Sequence, residues 1–581
     1  MDDHDKTSLS SATLCTLPYL LFCLICSVTL IPTASISATL YSNETDRISL
    51  LDFKHRISYD PHGVLLNSWN DSVHHCDWPG VSCGRLHRRD ELWLWSFLGR
   101  GWWEPYRSHR IGNLTFLRNV DLYGNGLHGQ IPGEIGGLKY LGLSTNSFSG
   151  ELVAVNLSSC VQLRELYLDR NGFQGKLPAG LAATLRKLQI LSLGRNQLTG
   201  EIPAAFGNFS LLQALGLEYN HLEGSVPNQI SQCWGLNKLS LGANNLTGTL
   251  SSAFFNITPI TLFSVAGNKL QGTIPSHVGD TMPNLEEFYV GGNEFHGSIP
   301  TSLPNASKLQ HIEVSLNNFV GKVPENIGKL KDLLFFNLEL NLLGSNDQLA
   351  FITSLSNCSN LEMLSICGNR FEGKLPKTIA NLSPKLTYLH LGNNKLFGTI
   401  PIGTKNLTSL IFLGLGNNQL SGIIPSEIGD LQTLQHLGLY RNQFSGKIPL
   451  TLFNLTSLFS LYLSFNSFDG NIPPNVGNLK NLNELSLSKN RFSGSIPQQV
   501  FDLPSLSIFL DLSYNLFTGP LPPTMSKLKT LNWLHISENK LSGKIPESIG
   551  DCLSLEELDM HANGFEGKIP PSLVSLKSLV R

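Results

Sequence analysis

The sequence predicts an α/β-type solenoid, a superhelix of short stacked units whose strands pair into a parallel sheet on a concave face. Three observations predict it. The segment Leu-Tyr-Leu-Asp-Arg-Asn-Gly-Phe-Gln-Gly-Lys-Leu-Pro at 166–178 recurs in outline at 191–203, 437–449, 461–473 and 485–497. Its asparagine returns nineteen times, at Asn125, Asn146, Asn171, Asn196, Asn220, Asn244, Asn268, Asn293, Asn317, Asn341, Asn369, Asn394, Asn418, Asn442, Asn466, Asn490, Asn515, Asn539 and Asn563. Most steps are 24 or 25 residues, with one of 21 (Asn125 to Asn146) and one of 28 (Asn341 to Asn369). Finally, 53 glycines and 30 prolines in 581 residues must occupy many turns, while 41% hydrophobic residues suffice to bury a core.

Each part of a unit has a physical task. The consensus L-x-x-L-x-L-x-x-N-x-L/F-x-G-x-I/L/V-P is the leucine-rich-repeat signature. Its alternating L-x-L is a short strand with leucines inward and the intervening residues outward. The asparagine amide satisfies backbone groups of the turn. Glycine permits the next bend and proline fixes φ where the chain leaves it. One unit cannot bury its leucines alone, so stacking is obligatory.

The ends are read separately. An apolar run from Leu14 to Ile31, followed by Ala34, Ser35, Ser37 and Ala38, reads as a signal peptide over 1–38. Cys76 and Cys83, in residues 39–84, form a local pair that a secreted chain would oxidise; a zinc site would need two further ligands at suitable spacing. Cys160, Cys233, Cys358 and Cys552 stand where other units carry an apolar residue, so they read as small buried hydrophobes. Twelve glycosylation sequons occur, at Asn43, Asn70, Asn113, Asn156, Asn208, Asn245, Asn256, Asn305, Asn357, Asn381, Asn406 and Asn454. Many share one phase of the repeat, just before a unit's first leucine, which places glycan on one face. A net charge of −2 gives no electrostatic footprint for nucleic acid.

The Gly-x-Ile-Pro variant of the repeat resembles the plant extracellular leucine-rich-repeat class. So does the segment containing Asp46-Arg-Ile-Ser-Leu-Leu-Asp-Phe-Lys, Leu66-Asn-Ser-Trp-Asn and Cys76-x-Trp-x-Gly-Val-x-Cys83, which is similar to the N-terminal cap of plant receptor-like kinases. The 28-residue step holds Asn346-Asp-Gln-Leu-Ala-Phe-Ile-Thr-Ser-Leu-Ser-Asn-Cys358, followed by Leu375-Pro-Lys-Thr-Ile-Ala-Asn-Leu-Ser. This is similar to the subgroup that includes the flagellin receptor and the rice bacterial-blight resistance receptor. The resemblance implies perception of a peptide or microbial pattern at the cell surface and recruitment of a co-receptor kinase. It implies no cofactor.

The chain departs from that family in three places. No Gly-rich phosphate loop with its lysine, no His-Arg-Asp and no Asp-Phe-Gly motif is found, so the chain is not expected to be an enzyme. After the leader no apolar stretch is long enough to span a bilayer. The repeats, counted from 111 to 581, stop at Arg581 in the first half of a further unit, which reads as a product cut before its membrane span. Residues 85–110 crowd Trp93, Trp95, Trp102 and Trp103 and read as an irregular segment replacing the first repeat, although Glu91-Leu-Trp-Leu starts in phase.

No catalytic constellation stands out, and no metal site is expected. Binding is the stronger reading, because residues six, four, two and one before each marker asparagine face outward. In the units of Asn394 to Asn466 these include Tyr388, His390, Phe412, His436, Tyr440, Arg441, Tyr462 and Phe465, separated by Gly392, Gly414, Gly416 and Gly438. Rigid aromatics beside glycine floors suit a peptide groove. The plain alternative is that aromatics are ordinary strand residues. A second candidate is a diagonal acidic stripe of Glu287, Glu313 and Glu339, with Tyr289 and His311, along which a basic peptide could lie; a solvated charge row explains it equally well. Arg170 and Arg195 stack on neighbouring units and could hold a carboxylate. The functional expectation is the ligand-recognition module of a receptor-like kinase in immune or developmental signalling. The alternatives are a secreted inhibitor of a microbial wall-degrading enzyme and a truncated, non-functional remnant.

Overall fold

A computed structural model describes residues 117–131, 137–152, 157, 160–344 and 349–580, preceded by short pieces that include Trp69, Asn70, Trp78, Val81–Cys83 and Leu92–Trp95. The expected leader and most of residues 39–116 lie outside the described residues. The chain forms two compact units, divided between Leu309 and Gln310.

In the first unit, strands of three to five residues pair in parallel, in register apart from a shift between Leu92 and Trp93 in the first pair. They run from Leu92–Trp95 through Leu117–Asp121, Tyr140–Gly142, Glu165–Tyr167, Ile190–Ser192, Ala214–Gly216, Lys238–Ser240 and Leu262–Ser264 to Glu287–Tyr289. The segment expected to be irregular thus contributes a ladder strand, Leu92–Trp95, which also pairs antiparallel with Val81–Cys83. In the second unit the same inner ladder runs from His311–Glu313 to Glu557–Asp559. Most strands bury a central apolar residue, as Leu166, Leu239, Phe336 and Leu461 show.

The asparagines explain the register. Nδ2 of Asn466 donates to Leu463 O (3.1 Å) and Ser464 O (3.2 Å) of its own turn and to Leu439 O of the preceding unit (3.0 Å). Its Oδ1 accepts the N–H of Phe444, also in the preceding unit, at 3.0 Å. Asn171, Asn490 and Asn515 repeat the pattern. One amide therefore closes a turn and locks it to its neighbour. The residue before the asparagine is the strained one. All fifteen non-glycine residues with positive φ among the described residues, Thr145 to Ala562, occupy that position. A left-handed L-residue costs about 1–2 kcal/mol, which the amide bonds offset.

A second parallel ladder follows each asparagine, which the sequence pattern did not predict. Gly172–Lys176, Gln197–Glu201 and His221–Ser225 illustrate it. The buried aromatic of this segment stacks on its counterpart in the next unit, with Phe468, Phe492 and Phe517 spaced 6.2 Å apart. Proline then starts a short helical turn. Most of these are 3-10 turns such as Ala204–Asn208; the longest α-helix among the described residues, Ala350–Leu355, falls in the 28-residue step. In the cap region Trp69 and Trp78 stack at 5.2 Å, and Trp78 Nε1 donates to the carbonyls of Asn70 and Val73.

Cys160, Cys233, Cys358 and Cys552 are buried and form no disulfide, as expected. They do more than fill space: Cys233 donates to Phe206 O (3.6 Å), Cys358 to Ile327 O (3.9 Å) and Cys552 to Met525 O (3.2 Å). Each thiol follows a helical turn and caps a carbonyl of the preceding one. Burial pushes all three up to about 11. Iodoacetamide at pH 8 should therefore label them only on unfolding, read by mass spectrometry; rapid labelling of the native chain would contradict this packing.

One unit packs imperfectly. Thr404 stands where adjacent units place Ile379 and Ile428, beside a small cavity also lined by Leu389, Ile400 and Leu413. Its Oγ1 is buried without a hydrogen-bond partner. Thr404→Val should raise the denaturant stability by about 1 kcal/mol. In contrast, Asn466→Ala strands several backbone groups and should cost about 2–4 kcal/mol; a loss below about 0.5 kcal/mol would show that the turn does not depend on the amide.

Candidate functional site

In the second unit the rows of the inner ladder are aromatic; Tyr388, Phe412, His436, Tyr440 and Tyr462 are half-buried, and His390, expected to face outward, is buried at 2% exposure. Tyr388 and Phe412 stack face to face at 4.4 Å, His390 meets Phe412 edge-on at 5.2 Å, and His436 lies 5.9 Å beyond Phe412. Tyr440 meets Tyr462 edge-on at 6.5 Å, and Tyr462 stacks on Phe509 at 5.8 Å. Tyr462 donates its hydroxyl to Glu484, and His436 Nδ1 bonds Ser460 Oγ at 2.8 Å.

Gly414 and Gly416 are covered floors, whereas a Cβ on Gly438 would meet Tyr440 Cε1 only at 3.6 Å. A Cβ on Gly416 would stand 2.4 Å from Tyr440 Cε1, and one on Gly414 would stand 2.4 Å from His390 Cδ2. The rings lie down on the backbone, and glycine is required because anything larger would lift them. The surface is a paved aromatic face.

A separate row runs along the edge of the face, at the strained position before each asparagine. Arg441 lies over the Phe465 ring at 4.6 Å, Lys489 over the same ring at 4.3 Å and over Tyr514 at 5.1 Å. Cation and aromatic alternate over four units. Arg441 and Phe465 were expected in the site; Lys489, Tyr514, Phe509, Glu484 and the exposed Trp533 were missed, although the same phase rule points to all five.

The acidic stripe does not form an open row. Glu287 and Tyr289 lie in the first unit, where Tyr289 donates to Glu287 at 2.7 Å. In the second unit Glu313 and Glu339 are buried. Glu313 accepts from Ser315 N (2.8 Å) and Asn337 Nδ2 (2.7 Å); Glu339 accepts from Ser365 Oγ and bonds His390 Nδ1 at 3.2 Å. Burial pushes the Glu313 carboxyl up to about 7 and raises that of Glu339. These carboxylates are committed to their neighbours, so the stripe is corrected to an internal network. His311 lies 6.2 Å from Phe335. Of the two arginines, Arg195 is taken up over the Tyr219 ring at 4.0 Å.

Among the sequons, Asn208, Asn245, Asn256, Asn305, Asn357, Asn381, Asn406 and Asn454 are exposed. All but Asn245, which is on a second-ladder strand, end or follow a helical turn, away from the inner ladder. Asn70 is exposed and accepts from Ser72 N at 3.0 Å. Asn43, Asn113, Asn156 and Cys76 lie outside the described residues, and Cys83 ends the strand Val81–Cys83. Among the described residues no group of three or more His, Cys, Asp or Glu side chains could hold a metal ion, and no helix is long and apolar enough to cross a membrane.

Family models for the leucine-rich repeat match nine segments between 116 and 576, and one for the leucine rich repeat N-terminal domain matches 43–84. The Arabidopsis receptor kinase HAESA, solved with the peptide hormone IDA and the co-receptor SERK1, is 32% identical, with 92% of this chain and 89% of that chain covered and a TM-score of 0.81. The chain belongs to the family of plant leucine-rich-repeat receptor-kinase ectodomains. A second member, in the PEPR1–AtPEP1 structure, is 30% identical over 92% of this chain and 81% of that one, with a TM-score of 0.70. Among whole receptor kinases of the family, Arabidopsis EFR is 46% identical over 84 residues, 14% of this chain and 8% of that protein. The rice receptor kinase-like protein Xa21 is 40% identical over 90 residues, 15% of this chain and 9% of that protein. The matched stretches thus span under a tenth of the length of these two relatives.

The edge row is testable by itself. Lys489→Met keeps the stem and removes the charge shared by two rings, so it should cost about 1 kcal/mol. A double-mutant cycle with Phe465→Leu should show coupling of about 0.5 kcal/mol; zero coupling would reduce the row to coincidence.

Proposed function

We propose that this chain recognises an extracellular ligand, a peptide, through the outward rows of its inner ladder, as the ectodomain part of a receptor kinase. The observation that carries this reading is the aromatic face from Tyr388 to Phe509, whose rings are fixed on each other and on glycine backbone. A surface of fixed rings loses little side-chain entropy on binding and offers large contact area to an extended chain. Similarity to HAESA and PEPR1 supports the peptide as ligand class, and the SERK1 complex supports a co-receptor as partner. Similarity to the receptor kinases EFR and Xa21 supports a place in receptor-kinase signalling, immune or developmental. A route through the secretory pathway to the cell surface fits the leader and the twelve sequons, and it makes the Cys76–Cys83 disulfide part of the proposal.

The test is to pan a displayed random dodecapeptide library against the purified, secreted chain. Enriched peptides should be lost from the Phe412→Ala/Tyr462→Ala variant and kept by Trp234→Ala, whose indole is exposed beyond a helical turn. Far-ultraviolet circular dichroism confirms that both variants fold. No enrichment, or enrichment insensitive to the double variant, would contradict the reading.

A further inference from the structure

On the helical side of the first unit, Asn208, Asn256 and Asn305 each end a helical turn, and the hydroxyl residues of their sequons, Ser210, Thr258 and Ser307, follow two positions later. The repeat between Asn208 and Asn256 breaks this pattern. Its turn, Asn228–Gln232, ends on a glutamine in place of the asparagine, and Trp234 stands in place of the sequon hydroxyl. Trp234 is the one aromatic in that row among the described residues, and its indole is 78% exposed. One position along in the preceding repeat, Leu211 is exposed as well. An isolated exposed tryptophan between two sequons calls for an occupant.

The packing of the turns places Trp234 next to Asn208. Cys233 Sγ donates to Phe206 O (3.6 Å) and Gly207 O (3.8 Å), so the residue before the tryptophan is tied to the residue before the asparagine. The two turns touch through backbone there, since a Cβ on Gly207 would stand 2.3 Å from Gln229 O. Beyond the tryptophan, a Cβ on Gly235 would stand 3.4 Å from Leu212 O. Residues 233–235 therefore run alongside 207–212. At the following junction Ser231 and Ile257 replace Gly207 and Cys233, so neither the bare backbone nor the thiol tie is repeated toward Asn256. The backbone on both sides of the pair is fixed: Ser210 N donates to Asn208 O at 2.9 Å and Trp234 N to Gln232 O at 3.0 Å. Asn208 itself is exposed. In contrast, Asn305 Nδ2 already donates to Asp280 Oδ1 at 2.8 Å.

We propose that Trp234 is the seat of the glycan carried by Asn208, whose innermost N-acetylglucosamine units lie on the indole face. This rests on the reading of the chain as secreted, which supplies the modification. In that transfer the Asn208 amide nitrogen takes C1 of the sugar from a lipid diphosphate-linked oligosaccharide. The C1–O bond breaks, the diphosphate leaves, and the amide gives up one proton. A pyranose ring presents a face of C–H groups, which suits the negative face of an aromatic ring, and the contact removes an exposed apolar surface from water. The repeat that lacks a sequon thus supplies the platform for its neighbour's glycan. A glycan held down in this way lies across the helical turns and leaves the inner ladder open.

The test is hydroxyl-radical footprinting of the whole chain secreted from plant cells, with glycopeptide mass spectrometry on the same samples. The Asn208 peptide should carry a glycan. A sugar on one face hides about half of the indole, so Asn208→Gln should raise the labelling rate of Trp234 about twofold. Labelling of Tyr440 and Tyr462 should not change, which shows that the variant is folded. Ser210→Ala removes the glycan but keeps the asparagine and should expose Trp234 equally, whereas Ser210→Thr keeps the glycan and should keep the protection. Asn256→Gln should leave Trp234 as in the wild type. Equal labelling with and without a glycan on Asn208 would overturn the seat and leave the secreted reading standing. So would an Asn208 peptide without glycan beside other sequons that carry it, or exposure of Trp234 by Asn256→Gln instead. Absence of glycan from every sequon would overturn both.

Discussion

The asparagine amide is the interaction on which the rest depends. In most units, as at Asn466, it accepts an N–H from the preceding unit and donates to carbonyls in two units, so it sets turn geometry and stacking register together. Without it, the left-handed residue before it would have no compensation, and neither strand ladder would keep phase. The strain is useful. It turns the side chain before each asparagine toward the edge of the ladder, where Arg441, Phe465, Lys489 and Tyr514 alternate.

A fixed register makes the outward rows independent of the core. Leucines hold the units together while positions six, four, two and one before the asparagine vary freely, and two chemically distinct patches result. In the second unit, rings lie on glycine backbone and on each other, giving a rigid apolar face. In the first, the Glu218 carboxylate lies on Gly194 in the same way. The same residue type seats aromatic rings in one place and a carboxylate in the other.

Much of this was legible in the sequence. The repeat gave the strand, the turn, the leucine core and the outward rows, and Tyr388, Phe412, Tyr440 and Tyr462 lie where phase put them. What phase cannot give is which side chain reclines on which. Glu313 and Glu339 read as exposed because their positions point outward, yet Asn337, Ser365 and His390 supply bonding partners that bury them. Phase also hid the second ladder, because its x-L/F-x-G segment alternates too briefly to read as a strand. Composition placed the cysteines in the core, whereas their use as carbonyl caps needed coordinates.

The central claim is that ligands meet this protein on the inner ladder and leave its helical side bare. Hydroxyl-radical footprinting of the purified chain, with and without a saturating display-selected peptide, tests it most directly. The account predicts loss of labelling at Tyr440, Tyr462, Phe509 and Trp533, with Trp234 on the helical side, 78% exposed, unchanged. Protection of Trp234 with the inner aromatics still labelled would contradict it.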